Sequence, residues 1–177
     1  MWLNDRIVDF YLLFMSLQLS VSTREDIYIY PTTFYKRMTL LNLNVAQGLH
    51  LPGRSEAEVK AMGVKRWTKD LNIFEKKILL IPVCESKSRH WFLIAVIFPG
   101  CEGSKETVVV ILDSLEGCRD EVVENIKDYL NFMHGDENAI GFANSDLRVV
   151  HPLCPQQDDL TSCGIFMLHF AEKIIYR

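Results

Sequence analysis

The chain has 177 residues, five cysteines and a formal net charge of −4. This length suits one domain that buries about 70% of the surface of its unfolded chain, and the weak negative charge excludes a general nucleic-acid or membrane-surface binder. The cysteines are odd in number and form no CxxC pair, which argues against a disulfide framework or a structural zinc site and favours a reducing compartment. The apolar runs at residues 7–19 and 91–98 are too short or too interrupted to span a bilayer.

The first part of the chain predicts mainly helices. Asn4 or Asp5 can cap a helix over residues 5–19. Its apolar stripe, at i, i+3 and i+4 spacing, consists of Ile7, Phe10, Tyr11, Phe14 and Leu17. Residues 27–30 predict a strand, 33–39 one or two helical turns, 41–54 a mobile surface loop, and 55–66 a helix that begins with a capping box.

The second part predicts neighbouring strands. Residues 77–83, 91–98 and 107–113 are short runs of branched and aromatic residues separated by polar turns, and 147–151 predict a further strand. A helix over residues 121–133 should point Val122, Ile126, Tyr129, Leu130 and Met133 inward. With a closing helix after residue 163, this order is typical of an α+β fold with a central mixed or antiparallel sheet flanked by helices.

Cys163 stands where a polar loop meets the apolar closing helix. The first turn of a helix has unpaired N–H groups and a partial positive charge, and both favour thiolate over thiol. Upstream, Gln156 and Gln157 place two side-chain amides within a loop's reach of the sulfur, where one amide can donate to an oxyanion. A lone cysteine is otherwise more often a small core residue.

His90 and Asp113 lie at opposite ends of two predicted strands. If these strands are antiparallel neighbours, the start of one lies beside the end of the next, so the two side chains meet. A cysteine, a histidine and an orienting aspartate would then form a nucleophile, base and orienter chain. The alternatives are an ordinary half-buried histidine and an aspartate that only starts a turn.

Four ordered motifs carry a family resemblance: WLND from Trp2, HW from His90, LDS ending at Ser114, and PQQxxxxxCG ending at Gly164. The sequence resembles the Ulp/SENP cysteine proteases, which process SUMO and remove it from lysines. The sequences of residues 34–39 and 65–98 further resemble the sentrin-specific protease 6/7 branch, which edits poly-SUMO chains. The resemblance covers nearly the whole chain.

This resemblance implies a papain-like cysteine protease core and a SUMO-specific isopeptidase that cleaves after the terminal Gly-Gly of SUMO. It implies Cys163 as nucleophile, His90 as base, Asp113 as orienter and Gln157 in the oxyanion hole. Trp2 and Trp91 would line the tunnel for the Gly-Gly tail. No metal or organic cofactor is needed, the expected partners are SUMO and its conjugates, and the expected form is a nuclear or cytoplasmic monomer.

The sequence departs from the family pattern beside the nucleophile. Ser162 replaces the usual aspartate before the cysteine, and Asp159 stands where asparagine is frequent. Relatives also carry residues before WLND and after the closing helix, so we expect residues 1–177 to be one catalytic domain truncated at both ends. Two alternatives stay open: a module that binds a ubiquitin-like modifier without cutting it, and a thiol protease for another such modifier. The SUMO paralogue, chain length and cellular targets cannot be read from the sequence.

Overall fold

The computed structural model describes residues 2–46, 53, 55–85, 88–100, 106–137 and 147–176. The helices in this part of the chain are α1 (Asp5–Leu17), α2 (Val21–Asp26), α3 (Thr33–Ala46), α4 (Glu56–Val64), α5 (Asp120–Glu137) and α6 (Cys163–Ile175). The strands are β1 (Ile27–Ile29), β2 (Ile78–Glu85), β3 (His90–Ile97), β4 (Thr107–Leu112) and β5 (Leu147–Val150). Two 3₁₀ helices, Lys65–Thr68 and Ile73–Glu75, connect α4 to β2.

Within the described residues the strands form one mixed sheet in the order β1-β2-β3-β4-β5. Strands β2, β3 and β4 are antiparallel neighbours, whereas β1 and β5 run parallel to β2 and β4. The predicted α+β class and the predicted strand positions are therefore confirmed, with ends that differ by one or two residues.

Helices cover both faces of the sheet, which explains why the central strands are apolar without alternation. Phe92, Ile94 and Val96 of β3 face a core that includes residues of α3, α4 and α5. Trp91, Leu93 and Ala95 face the opposite core, beneath α1 and α6. A strand buried on both sides reads as a continuous apolar run. The five residues of α5 that we expected to point inward are all buried.

The buried face of α1 differs from the predicted stripe. Phe10 is 68% exposed and Phe14 is 50% exposed, whereas Val8, Leu12 and Met15 are buried against α6 and the sheet. This helix is apolar on several faces, and the buried residues also follow helical spacing. Periodicity alone therefore could not tell which face packs.

Two further predictions along the chain need correction. Helix α3 continues to Ala46, so residues 41–46 are helical and not part of a loop, while residues 47–52 and 54 lie outside the described residues. Helix α2, capped by the Ser20 hydroxyl, was not predicted. No helix in the described part of the chain has the length and apolar character needed to cross a membrane.

The register of the central strands brings the site together. Leu93 of β3 pairs with Leu112 of β4, so the first residue of β3 lies near the residue that follows β4. Helix α6 packs on β3 and begins at the same edge of the sheet.

Candidate active site

His90 and Asp113 are in contact at this edge of the sheet. The Nε2 atom of His90 lies 2.5 Å from Oδ1 of Asp113. The imidazole is only 4% exposed and stacks on the Phe92 ring at a centroid distance of 6.0 Å. The adjacency expected from antiparallel strands is observed, and an aspartate in this position fixes the orientation of the ring.

Asp113 has two other hydrogen-bond donors besides His90. The Leu115 N–H donates to Oδ1 at 2.9 Å, and Arg119 donates to Oδ2 through Nε at 2.8 Å and through Nη2 at 2.7 Å. Burial acts to raise the pKa of Asp113, but the hydrogen bonds from His90, Leu115 and Arg119 outweigh it and hold that pKa below its ordinary value. Asp113 is therefore a carboxylate at neutral pH.

Arg119 supports the Asp113 carboxylate, and the sequence reasoning did not single it out. Its guanidinium lies 4.7 Å above the Phe92 ring centre, and Nη1 is 3.6 Å from Glu85 on β2. Gly117 makes room for it, since a Cβ there would lie 3.3 Å from the guanidinium carbon. An arginine shortly after LDS, with a glycine two residues before it, was the available signal.

Cys163 is the first residue of α6, as predicted, and its side chain is almost fully covered. It is 1% exposed, and its thiol is 4.0 Å from the carbonyl oxygen of Arg89, the residue before His90. Arg89 has φ 53°, a left-handed conformation that is uncommon for a residue with a side chain. The turn before β3 therefore directs a backbone carbonyl towards the sulfur and the imidazole towards Asp113.

The other described cysteines differ from Cys163 in position. Burial raises the pKa of the Cys84 thiol to about 11 and also raises the pKa of Cys154, so both are protonated at neutral pH. Cys118 is exposed and donates to Asp120. None of these three begins a helix within the described residues.

Gln157 is held by hydrogen bonds at both ends of its amide. Its Oε1 accepts from the Ser114 hydroxyl at 2.7 Å, and its Nε2 donates to the Asp159 carbonyl at 2.6 Å. The side chain is 9% exposed and borders the cleft beside His90. Gln156, by contrast, is exposed and donates to the carbonyl oxygens of Asp113 and Cys154.

The two departures from the family pattern interact directly with each other. The Asp159 carboxylate accepts from the Ser162 hydroxyl, from the Ser162 N–H at 2.7 Å and from the Thr161 N–H at 2.5 Å. These bonds, that from the Ser162 hydroxyl first, lower the pKa of Asp159 to about 2. The loop before Cys163 thus has a local structure built from the residues that depart from the pattern.

A cleft of about 410 Å³ opens above these residues. Trp2, which is 37% exposed, borders it together with His90 and Gln157. The remaining lining residues are Glu85, Ser88, Leu115, Glu116, Gly117, Arg119 and Leu160.

Trp91 is not among the residues that border this cleft. Its side chain is 2% exposed in the core beneath α1 and α6, and its Nε1 donates to the Leu3 carbonyl at 3.0 Å. The Leu3 side chain packs on Gly164, where a Cβ would lie 3.0 Å from Leu3 Cβ. The structure therefore gives Trp91 a buried position that holds the segment carrying Trp2. That its ring also lines the tunnel stays a prediction.

The whole chain matches a known protein family. A model of the C-terminal catalytic domain of the Ulp1 protease family, Peptidase_C48, matches residues 1–177. The chain belongs to the Ulp1 protease family. This is a family of cysteine proteases, and the predicted recognition is confirmed.

Curated relatives from this family are long proteins. The chain is 26% identical to ubiquitin-like-specific protease 2 of Schizosaccharomyces pombe, over 98% of this chain and 31% of that protein. It is 24% identical to human sentrin-specific protease 7, over 97% of this chain and 22% of that protein. The chain thus spans less than a third of either relative.

Two solved protease structures share the fold. A crystal structure of a de-sumoylating protease aligns with a TM-score of 0.78 at 22% identity, covering 99% of this chain and 63% of that one. The Ulp1 protease domain in complex with Smt3, the yeast orthologue of SUMO, aligns with a TM-score of 0.67 at 20% identity, covering 99% and 66%. These similarities confirm the predicted protease fold.

Proposed function

We propose that this Ulp1-family chain is a SUMO-specific isopeptidase that uses Cys163, His90, Asp113 and Gln157. The observation that carries the proposal is the contact between a buried histidine and an ionised aspartate, together with a cysteine at a helix N-terminus whose thiol lies 4.0 Å from the carbonyl oxygen of the residue before that histidine. Such a chain of groups turns a thiol into a nucleophile at neutral pH.

In the proposed reaction, His90 takes the proton of the Cys163 thiol, and the sulfur attacks the carbonyl of the terminal glycine. The second N–H of the Gln157 amide and the Cys163 backbone N–H stabilise the oxyanion. The C–N bond then breaks, protonated His90 gives its proton to the lysine amine, and a thioester remains on Cys163. Water hydrolyses the thioester with His90 as base.

The cover over Cys163 favours a substrate tail without side chains. Cys163 is 1% exposed, and Trp2 borders the cleft beside His90. A Gly-Gly tail can pass where alanine would collide with an indole ring. The proposal therefore places Trp2 and Trp91 at the tunnel for this tail, and Trp91 also holds the Leu3 carbonyl through its Nε1.

The substrate and the cellular setting belong to the same proposal. Two similar proteins support SUMO as the modifier. One is the Ulp1 protease domain, whose structure contains Smt3, and the other is sentrin-specific protease 7. We further propose that the protein acts as a monomer, on SUMO-conjugated proteins and poly-SUMO chains, in the nucleus or cytoplasm.

A pair of covalent probes tests the proposal. We expect a SUMO–vinyl sulfone probe to label the chain and a ubiquitin–vinyl sulfone probe not to label it. Cys163→Ser should abolish labelling, and Cys118→Ser, which removes an exposed thiol, should leave it unchanged. Labelling by neither probe would support a binding module instead, and labelling by ubiquitin alone would move the protein to another modifier.

A further inference from the structure

Ser114 connects the two halves of the candidate site. It directly follows Asp113 and is 1% exposed. Its hydroxyl donates to Gln157 Oε1 at 2.7 Å, and its carbonyl accepts from the Gln157 N–H at 3.0 Å. Ser114 at the edge of the sheet is thus joined to Gln157, on the loop before α6, by one side-chain and one backbone hydrogen bond.

These bonds decide how the Gln157 amide is oriented. An amide has an acceptor end and a donor end of similar shape, and the neighbours determine which end points where. The Asp159 carbonyl only accepts, so Nε2 must face it, and the Ser114 hydroxyl then donates to Oε1. One N–H of Nε2 is used by Asp159, which leaves a second N–H on an amide that borders the cleft.

The Ser114 bond also strengthens this remaining donor. A hydroxyl that donates to an amide oxygen polarises the amide, which makes its N–H groups better donors. Ser114 is the residue after Asp113 at the edge of the sheet. The same short piece of backbone therefore positions both the Gln157 amide and the His90 imidazole.

We propose that Ser114 is a positioning residue that orients the Gln157 amide towards the oxyanion. This inference rests on the proposed function, in which Gln157 stabilises that oxyanion. It goes beyond the triad because Ser114 touches no reacting atom and acts only through Gln157. Its effect should therefore disappear when Gln157 is absent.

A double-mutant cycle on SUMO cleavage tests this dependence. Ser114→Ala should lower kcat about tenfold with KM unchanged, the scale of one lost neutral hydrogen bond. Gln157→Ala should lower it about a hundredfold, and adding Ser114→Ala to that variant should cost nothing more. If the two effects multiply, Ser114 does not act through Gln157 and the proposal is overturned.

The control is another buried hydroxyl. Thr68 is 2% exposed, donates to the Lys65 carbonyl at 3.3 Å and lies in the 3₁₀ helix beside α4. Thr68→Val should leave kcat unchanged. If it lowers kcat as much as Ser114→Ala, the loss reflects general damage to the fold and the proposal fails.

A second measurement separates this inference from the proposed function. The side-chain NH₂ signals of Gln157 can be assigned in an NMR spectrum by their loss in Gln157→Ala. In Ser114→Ala both proton shifts should move and exchange with solvent should accelerate, whether or not the protein cleaves SUMO. Unchanged signals would overturn the role of Ser114, whereas an inactive parent with shifted signals would refute only the proposed function. If Ser114→Ala melts below the assay temperature, Ser114→Cys, with a weaker donor of similar shape, takes its place.

Discussion

The candidate site has two halves that are stabilised in different ways: a base half, made of His90, Asp113 and Arg119, and an oxyanion half, made of Gln157 and its loop. His90, Asp113 and Arg119 are each at most 11% exposed, and ionised groups link them. Gln157 is also buried, but it lies on a loop whose local structure depends on exposed Asp159 and on the Ser114 hydroxyl. Sheet register and charged hydrogen bonds thus fix the base half, whereas the oxyanion half takes its rigidity from that half through Ser114.

Among the changes that leave Cys163 in place, the largest expected effect comes from breaking the base half at Asp113. Asp113→Asn should lower kcat about a thousandfold, because an amide supports the wrong histidine tautomer and cannot stabilise the imidazolium. It also leaves the nearly buried Arg119 without its carboxylate, so the melting temperature should fall. Steady-state cleavage and thermal melting measure both effects.

Asp120→Asn is the matched control, since Asp120 is exposed in the first turn of α5. It should change activity less than threefold. An Asp113→Asn variant with activity equal to the parent would reduce Asp113 to a turn residue that accepts from Leu115.

The oxyanion half should give a smaller and purely catalytic loss. Gln157→Ala is expected to lower kcat about a hundredfold with little change in KM, because the amide bond to the substrate strengthens only in the transition state. Gln156→Ala removes bonds to two backbone carbonyls and should cost much less. Equal losses in the two variants would mean that the assignment of Gln157 to the oxyanion is wrong.

Arg119 gives a test of the base half through pH. The folded pKa of Asp113 is depressed, so the ionised carboxylate adds stability above its unfolded pKa, and this stability is lost as pH falls through the folded value. Arg119→Ala removes one cause of the depression, so the Asp113 pKa should rise. The acid loss of stability should then begin at higher pH, and kcat should be about tenfold lower.

The titratable and charged side chains in contact with Asp113 or Arg119 in the described residues include His90 and Glu85. The stability titration is therefore repeated with His90→Ala, which separates the effect of the imidazole from that of the Asp113 carboxylate. Arg148→Ala is the control, because Arg148 is exposed and 3.8 Å from Glu106 on the outer strands. An acid loss of stability in Arg119→Ala that coincides with that of the parent would contradict the account of Asp113.

The smallest expected effect concerns the loop carboxylate. Asp159 has a pKa of about 2, so its bonds to Thr161 and Ser162 should persist well below neutral pH and be lost as pH falls through that value. The Thr161 N–H chemical shift should follow this titration. A midpoint near the unperturbed value of about 3.9 would show that the carboxylate does not hold the loop.

The sequence predicted the parts of this molecule that depend on local pattern. The runs that became β2, β3 and β4 were recognisable because strands buried on both faces are apolar throughout. The contact between His90 and Asp113 followed from strand direction alone. Helix α1 was harder, because Phe10 and Phe14 have the same helical spacing as the buried Val8 and Leu12.

The supporting residues could not be predicted for a different reason. Ser114 and Arg119 act through side-chain contacts whose partners are set by turn geometry, and no periodicity encodes such contacts. The burial of Trp91 was also beyond the sequence, because a tryptophan that begins a strand can face either a cleft or the core. Its burial beneath α1 and α6 and its bond to Leu3 are visible only in the structure.

The most direct test of the account is the cleavage of a SUMO–lysine isopeptide by Cys163→Ser. The hydroxyl is a far weaker nucleophile and changes the volume little, so the variant should bind the substrate normally and cleave it at less than about a thousandth of the parent rate. Cys118→Ser, measured beside it, should cleave at the parent rate. Cleavage by Cys163→Ser above that thousandth would contradict the assignment of Cys163 as the nucleophile, and with it the central claim.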